Sequence, residues 1–261
     1  QATVNYNRDV EIFPVLRRIL EKITGKEAIY KSPTDMGVNK AGFGIIDDEA
    51  VKEAAKQEII RRYFRTHCEY AMGFTDKETV TRSEYILGEV NLRPEYRTTV
   101  EPARKAALEG QAGQSPDKGN EGIFCGAAIE LNDDTIVTGK NSPLMHASSS
   151  LVLNAVKKLA DIPDKLHLLS PAVIESIANL KKNVLKAKTV SLDLDEALIA
   201  LSVSSGTNPT AALAMEKLQE LRGCEVHLTH MPTPGDEAGL KRLGVNLTSE
   251  PNFSTKCLFE S

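Results

Sequence analysis

The stretch I-F-C-G-A-A-I-E-L-N-D-D-T-I-V-T, Ile123 to Thr138, decides the fold. Ile123 to Leu131 is rich in residues that suit a half-buried pleated surface. Asn132-Asp133-Asp134 is a turn, because short polar side chains bond their own backbone and tolerate left-handed conformations. Thr135 to Thr138 then returns, so the spacing predicts a β-hairpin and at least one antiparallel strand pair.

Downstream, helix and strand signals alternate. Ala147 to Ala160 reads as a helix with Leu151, Val152, Ala155, Val156 and Leu159 on one face. Leu166 to Leu169 reads as a short strand. Ser170-Pro171 starts a helix to about Val184, and Asn208-Pro209 starts another to Leu221; in each, a cap precedes a proline whose missing N–H costs nothing in the first turn. Asp193 to Ser204 is read as a helix because Asp193 and Glu196 have capping-box spacing. Glu225 to Thr229 is a strand, Asp236 to Leu243 a helix and Val245 to Thr248 a last strand. The fold class is therefore α/β: a helical N-terminal segment followed by a compact mixed-sheet α/β domain.

Upstream, Arg8 to Thr24 is amphipathic, with Ile12, Phe13, Leu16, Ile19, Leu20 and Ile23 spaced by three and four. Asp48 to Ala71 is a second helix. Asp76 to Leu108 is helical but interrupted at Pro94 and Pro102. Gly110 to Gly122 holds four glycines and one proline, and Ala112 is its one apolar residue. The expected division is 1–110 as a mainly helical segment, 111–122 as a linker or mobile loop, and 123–261 as the α/β domain. Gln1 is no initiator Met, and a helix follows almost at once, so the chain is expected to be a piece of a longer protein that supplies a missing N-terminal half.

The chain has 261 residues, 41% hydrophobic and 26% charged, ordinary globular values. Net charge is −4 and the pI is near 5.8, which argues against a nucleic-acid partner. The densest basic group, Lys181, Lys182, Lys186 and Lys188, reads as a solvated helix face. No apolar run approaches the roughly 20 residues of a membrane span, so no membrane is expected. Cys68, Cys125, Cys224 and Cys257 fall in no C-x-x-C spacing and read as free thiols of a cytoplasmic protein.

Three junctions gather small and polar residues before a helix: Gly139 to Ser150, Ser204 to Thr210 and Met231 to Glu237. Free N–H groups at a helix N-terminus suit an anionic ligand, with plain capping as the alternative for each. Asn208 and Asp236 are the candidate ligand-binding residues there. The loop from Lys31 to Asn39 offers a cation (Lys31), hydroxyls (Ser32, Thr34), a carboxylate (Asp35) and an amide (Asn39). Asn5 and Arg8 form a polar cluster upstream. In that reading Arg8 and Lys31 hold phosphate oxygens, and Asp35 is the candidate proton acceptor. The alternative is a solvated loop held by its own turns.

No metal site is expected. His227 and His230 are spaced by three on a strand, whose period of two sends the rings to opposite faces. No H-E-x-x-H, no phosphate-loop motif G-x-x-x-x-G-K-[ST] and no G-x-S-x-G occurs.

The strings V-N-Y-N-R-D-V-E-I-F-P-V-L (Val4 to Leu16), Y-K-S-P-T-D-M-G-V-N (Tyr30 to Asn39), D-D-E-A-V-K-E-A-A-K-Q-E-I-I-R-R-Y (Asp47 to Tyr63), L-R-G-C-E-V-H-L-T-H (Leu221 to His230) and K-R-L-G-V-N-L-T-S-E-P (Lys241 to Pro251) resemble a bacterial family of unassigned function. It is uncharacterised protein family 0371, or domain of unknown function 1846, and the likeness is to its C-terminal half. The resemblance implies a whole protein about twice this length, whose N-terminal half carries a Rossmann-like region and a Gly-rich phosphate-binding motif. The expected function follows: a nucleotide or other phosphorylated ligand bound where the two halves meet, the cofactor unknown. The alternative is a non-catalytic module that packs on the missing half or on a second copy of itself.

A second, topological likeness is to the cytidine-deaminase-like fold: hairpin, helix, then strand-helix-strand. The H-x-E and P-C-x-x-C zinc motifs of that fold are missing, since His146 is followed by Ala147 and Ser148.

Overall fold

A computed structural model describes residues 48–113 and 119–254. The helix expected over Arg8 to Thr24, the loop from Lys31 to Asn39, and Asn5 and Cys257 lie outside the described residues. The chain divides into two compact units, Gln1–Arg97 and Thr98–Ser261.

In the first unit, α1 (Asp48–Ala71) and α2 (Lys77–Glu89) pack together. Asp76 caps α2 by accepting the N–H of Thr79 at 2.8 Å. α2 has already ended at Glu89 when Pro94 opens a separate 3-10 turn, Pro94–Tyr96.

The second unit opens with α3 (Val100–Ala112). Pro102 does not interrupt it. The proline sits in the first turn, where an N–H has no intrahelical partner to lose. Gly110, Gln111 and Ala112 complete the helix, so the glycine-rich stretch begins as helix.

Strands β1 (Gly126–Glu130), β2 (Ile136–Lys140), β3 (Glu225–Leu228) and β4 (Asn246–Ser249) form one sheet, in the order β2-β1-β3-β4. β1 pairs antiparallel with β2 and β3, while β3 pairs parallel with β4. The hairpin supplies the antiparallel pair it requires, and the parallel pairing of β3 with β4 makes the sheet mixed. Three strands run one way and β1 runs against them.

Two glycines set the layers. A Cβ on Gly126 would collide with the carbonyl of Ala103 in α3. One on Gly139 would collide with the backbone around Leu151, in α4 (Ala147–Leu159). Gly139 pairs with Ala127, the neighbour of Gly126, and neighbours on a strand face opposite ways. α3 and α4 therefore cover opposite faces.

The main core lies on the α4 face, where Ala127, Ile129, Val226 and Leu228 meet Leu151, Ala155, Leu201 and Leu240. Around it stand α5 (Pro171–Asn179), α6 (Leu194–Ser205), α7 (Pro209–Glu216) and α8 (Pro234–Leu243). The capping box of α6 forms as its spacing predicts: Asp193 accepts from the N–H of Glu196, and Glu196 accepts from the N–H of Asp193.

Two expectations are corrected, the strand at Leu166 to Leu169 and the solvated face at Lys181. Leu166 to Leu169 is no strand: Leu168 and Leu169 are buried in an irregular segment that pairs with no strand. The helix from Pro171 runs to Val184 as expected, as α5 to Asn179 and then as a π turn. Lys181 is not on a solvated face. It is buried, its Nζ bonded to the carbonyl of Ser191 and to Glu196 Oε2, both at 2.7 Å, while Lys182, Lys186 and Lys188 are exposed.

Candidate functional site

Strands β2, β3 and β4 share one direction, so α4 after β2 and α8 after β3 both begin at the same edge of the sheet. Ligands of open α/β sheets bind outside the carboxyl ends of the strands. The loop before α4 is tied there by Leu192, which donates to the carbonyl of Leu144 and accepts from the N–H of His146, each at 2.9 Å. That brings the N-terminus of α6 beside those of α4 and α8.

Asp236, the third residue of α8, is the centre of this junction. Its side chain is almost wholly buried. Oδ1 accepts the hydroxyl of Ser148 at 2.5 Å and the N–H of Leu194 at 3.0 Å. Oδ2 accepts His146 Nδ1–H and the hydroxyl of Thr233, both at 2.8 Å. Burial alone would push the carboxyl up, but the bonds from His146, Ser148 and Thr233 outweigh it and hold Asp236 below the usual carboxylate range. Gly235 lets this backbone close on α6, because any Cβ there would strike the Asp193 carboxylate.

His146 stands at the N-cap of α4 with extended backbone, and its side chain makes no cap bond. The ring turns to Asp236 instead. Burial favours its neutral form, but the bond and charge of Asp236, helped by Asp193, win and raise its pKa. Asp236, as an acceptor, fixes the proton on Nδ1. Nε2 has no hydrogen-bond partner among the described residues.

His146, Ser148, Thr233 and Asp236 border a cavity of about 250 Å³. Cys125 and His230 also border it. Burial, with the charge of Asp236 adding to it, pushes the Cys125 thiol up to about 12, so it is no thiolate nucleophile. His227 and His230 are kept apart. His227 is fully buried in β3, bonded through Nδ1 to Thr248 Oγ1 at 2.9 Å, whereas His230 lies beyond the strand end.

A deaminase-like zinc site asks for one His and two Cys from H-x-E and P-C-x-x-C. At those spacings stand His146-Ala147-Ser148 and Pro232-Thr233-Pro234-Gly235-Asp236. Thr233 is a poor ligand, and both Asp236 oxygens are already taken by four donors. The donor set does not fit zinc. Among the described residues no group of three His, Cys, Asp or Glu could hold a metal ion.

Of the residues singled out in sequence, Asp236 lies in the cavity wall. Asn208 does not: its Oδ1 caps α7 through the N–H groups of Thr210 and Ala211, and its Nδ2 donates to the carbonyl of His167. Asn5, Arg8, Lys31, Ser32, Thr34, Asp35 and Asn39 lie outside the described residues. Sequence reasoning named the junctions of His146, Ser148 and Thr233 without giving these side chains a role, and weighed His230 only as a metal partner of His227. The paired spacings H-x-S and P-T-x-x-D were the signal.

No helix among the described residues is long and apolar enough to cross a membrane. The chain is 52% identical over 259 residues to a UPF0371 protein of Clostridium botulinum (strain Alaska E43 / Type E3), covering 99% of this chain and 51% of that protein. It is 50% identical over 259 residues to one from strain Eklund 17B / Type B, with the same shares covered. The chain thus spans about half the length of the curated relatives it matches. Residues 1–91 match the family model described as domain of unknown function DUF1846, N-terminal, so the likeness is not confined to the family's C-terminal domain. Residues 95–259 match domain of unknown function DUF1846, C-terminal, and the chain belongs to that family.

Proposed function

We propose that the cavity is a small-molecule site at which His146 Nε2 carries a proton to or from the ligand. One observation supports this above the others: Nδ1 is committed to an ionised, buried Asp236 while Nε2 is left for the cavity. An orienting carboxylate behind an imidazole is the arrangement general acid–base catalysis uses.

The ligand we favour is a nucleotide or another phosphorylated molecule. The first N–H groups of α4, on Ala147, Ser148 and Ser149, have no hydrogen-bond partner among the described residues, and Ala147 and Ser148 border the cavity. Such groups suit an anion. A space of about 250 Å³ encloses a base or a sugar phosphate rather than a whole nucleotide. We infer that the remainder is held by sequence outside this chain, supplied by the other half of a cytoplasmic protein. Arg8, Lys31 and Asp35 remain candidate contacts of that whole protein. Three buried free thiols, Cys68, Cys125 and Cys224, fit a reducing compartment.

Ligand-detected NMR with ATP, ADP and inorganic phosphate tests the reading, on this chain and on a full-length relative. At least one probe should bind, and His146→Gln should abolish its signal. Binding of none to either protein, or binding indifferent to His146, overturns it.

The second reading is an interaction module. Ile199 and Val203, one turn apart on α6, are exposed, as are Val184 and Leu185. Sedimentation velocity checks it: self-association lost in Val203→Glu would favour this reading.

A further inference from the structure

His230 borders the same cavity as His146 and enters from a different element, the segment that follows β3. Its Nδ1 lies 2.9 Å from Thr229 Oγ1. That hydroxyl also accepts the N–H of Gly126 at 2.9 Å and donates to the carbonyl of Gly126 at 3.2 Å. A hydroxyl has one proton. When that proton is on the Gly126 carbonyl, which also accepts the N–H of Thr229 at 2.9 Å, the ring supplies the proton between Thr229 and His230. In that arrangement Nδ1 of His230 is the protonated nitrogen and Nε2 the bare one.

We propose that His146 and His230 form a donor and acceptor pair across the cavity, so that one small ligand receives a proton at one atom and gives up a proton at another. The proposal rests on the reading of His146 given above. Both rings have Nδ1 fixed by a protein partner, which leaves the two Nε2 atoms for the ligand. Both residues border one cavity of about 250 Å³, so a single occupant can lie against both.

The environments set the direction. His146 faces Asp236 and Asp193, which favour its charged form over the opposing effects of burial and Lys181. His230 is held neutral mainly by burial, against a weaker pull from Glu250. Cys125, on the same wall, stays uncharged. Two titratable groups pushed apart in this way divide into acid and base.

The ligand class this serves is a carbonyl compound with a hydrogen on the adjoining carbon. His230 Nε2 takes that hydrogen as a proton, and the C–H electron pair becomes the new C=C bond. The carbonyl π pair moves to oxygen and takes the proton from His146 Nε2. The ligand is isomerised to its enol with its atoms and electrons unchanged, and the step calls for no co-reactant.

The test is NMR of the 261-residue chain with 15N- and 13C-labelled histidine, assigned with His146→Gln and His230→Gln. His146 should lose its proton above the pH of an exposed histidine, and His230 below it. The 15N shifts of neutral His230 should show a protonated Nδ1 and a bare Nε2. Between the two midpoints, diethyl pyrocarbonate, which attacks neutral imidazole, should label His230 and spare His146 on peptide mass mapping. If the variants do not fold, through-bond correlations in the unaltered chain give the same assignments. A normal His146 midpoint overturns the dyad and the proposed function with it. A raised His146 midpoint together with a His230 that titrates alongside it, or carries its proton on Nε2, overturns only the pair.

Discussion

His146 and Asp236, ninety residues apart in sequence, are joined by a 2.8 Å bond from Nδ1–H to Oδ2 at the meeting of three helix N-termini. Asp236→Asn removes the charge and turns one acceptor into a donor facing His146 and Thr233. Loss of a buried charge partner should cost about 2–4 kcal/mol, read as a lower urea midpoint. His146 should then titrate below an exposed histidine, since burial would act on it with less opposition. An unmoved His146 would contradict the assignment.

The same pair sets a pH dependence. His146 is raised, so its contribution is complete below the unfolded value of about 6.5 and fades as pH rises through the folded pKa. Asp236 is lowered, so its contribution is complete above about 3.9 and fades as pH falls through its folded pKa. The pair stabilises fully only between those limits. Urea midpoints measured across pH should decline on both sides, and Asp236→Asn should flatten both slopes.

Cys125 gives a reactivity prediction. With its pKa pushed up to about 12, hardly any thiolate exists at pH 8, and the side chain is buried. Iodoacetamide should leave Cys125 unmodified in the folded chain and label it in urea. Because burial is the larger cause, Asp236→Asn should change this little. Rapid native labelling would show that the cavity wall opens.

Gly126 and Gly88 predict opposite outcomes of one substitution. Gly126→Ala drives a methyl into the carbonyl of Ala103, so α3 must lift from β1. Overpacking of this kind costs about 1–3 kcal/mol. Gly88 sits in α2 with open space where its Cβ would stand, and Gly88→Ala should stabilise by about 0.5–1 kcal/mol. Urea midpoints should move down for the first and up for the second.

Much of the fold was legible because its signals are local. The hairpin turn at Asn132 to Asp134, the Asp193 and Glu196 box and the cap-then-proline pairs each act within a few residues. Leu166 to Leu169 failed for the opposite reason: a short apolar run fits any buried segment, and only partners elsewhere decide. The site was half legible. The junctions holding His146 and Asp236 were visible as cap-like composition. Their convergence depends on the sheet direction and on Leu192 bridging the loops, which no local pattern encodes.

Lys181 carries the last prediction, because its neighbour supplies the control. Sequence placed Lys181 and Lys182 on one solvated face, and they part company in the π turn that follows α5. A π turn takes more residues per revolution than an α-helix and re-aims side chains within it. Lys181 is buried with its ammonium on Glu196 and on the carbonyl of Ser191, so it supports both the α6 capping box and the segment leading into it. Lys181→Ala leaves Glu196 without its cation and the carbonyl without its donor, each a charge-assisted bond worth about 1.5–3 kcal/mol. A loss of about 2–4 kcal/mol should appear as a lower urea midpoint. Lys182→Ala, at an exposed position, should stay within about 0.5 kcal/mol. Lys181→Ala also removes a positive charge that works against protonated His146, so the His146 titration midpoint should rise. An equal, small effect of the two lysine substitutions would place Lys181 in solvent and remove this support from the site.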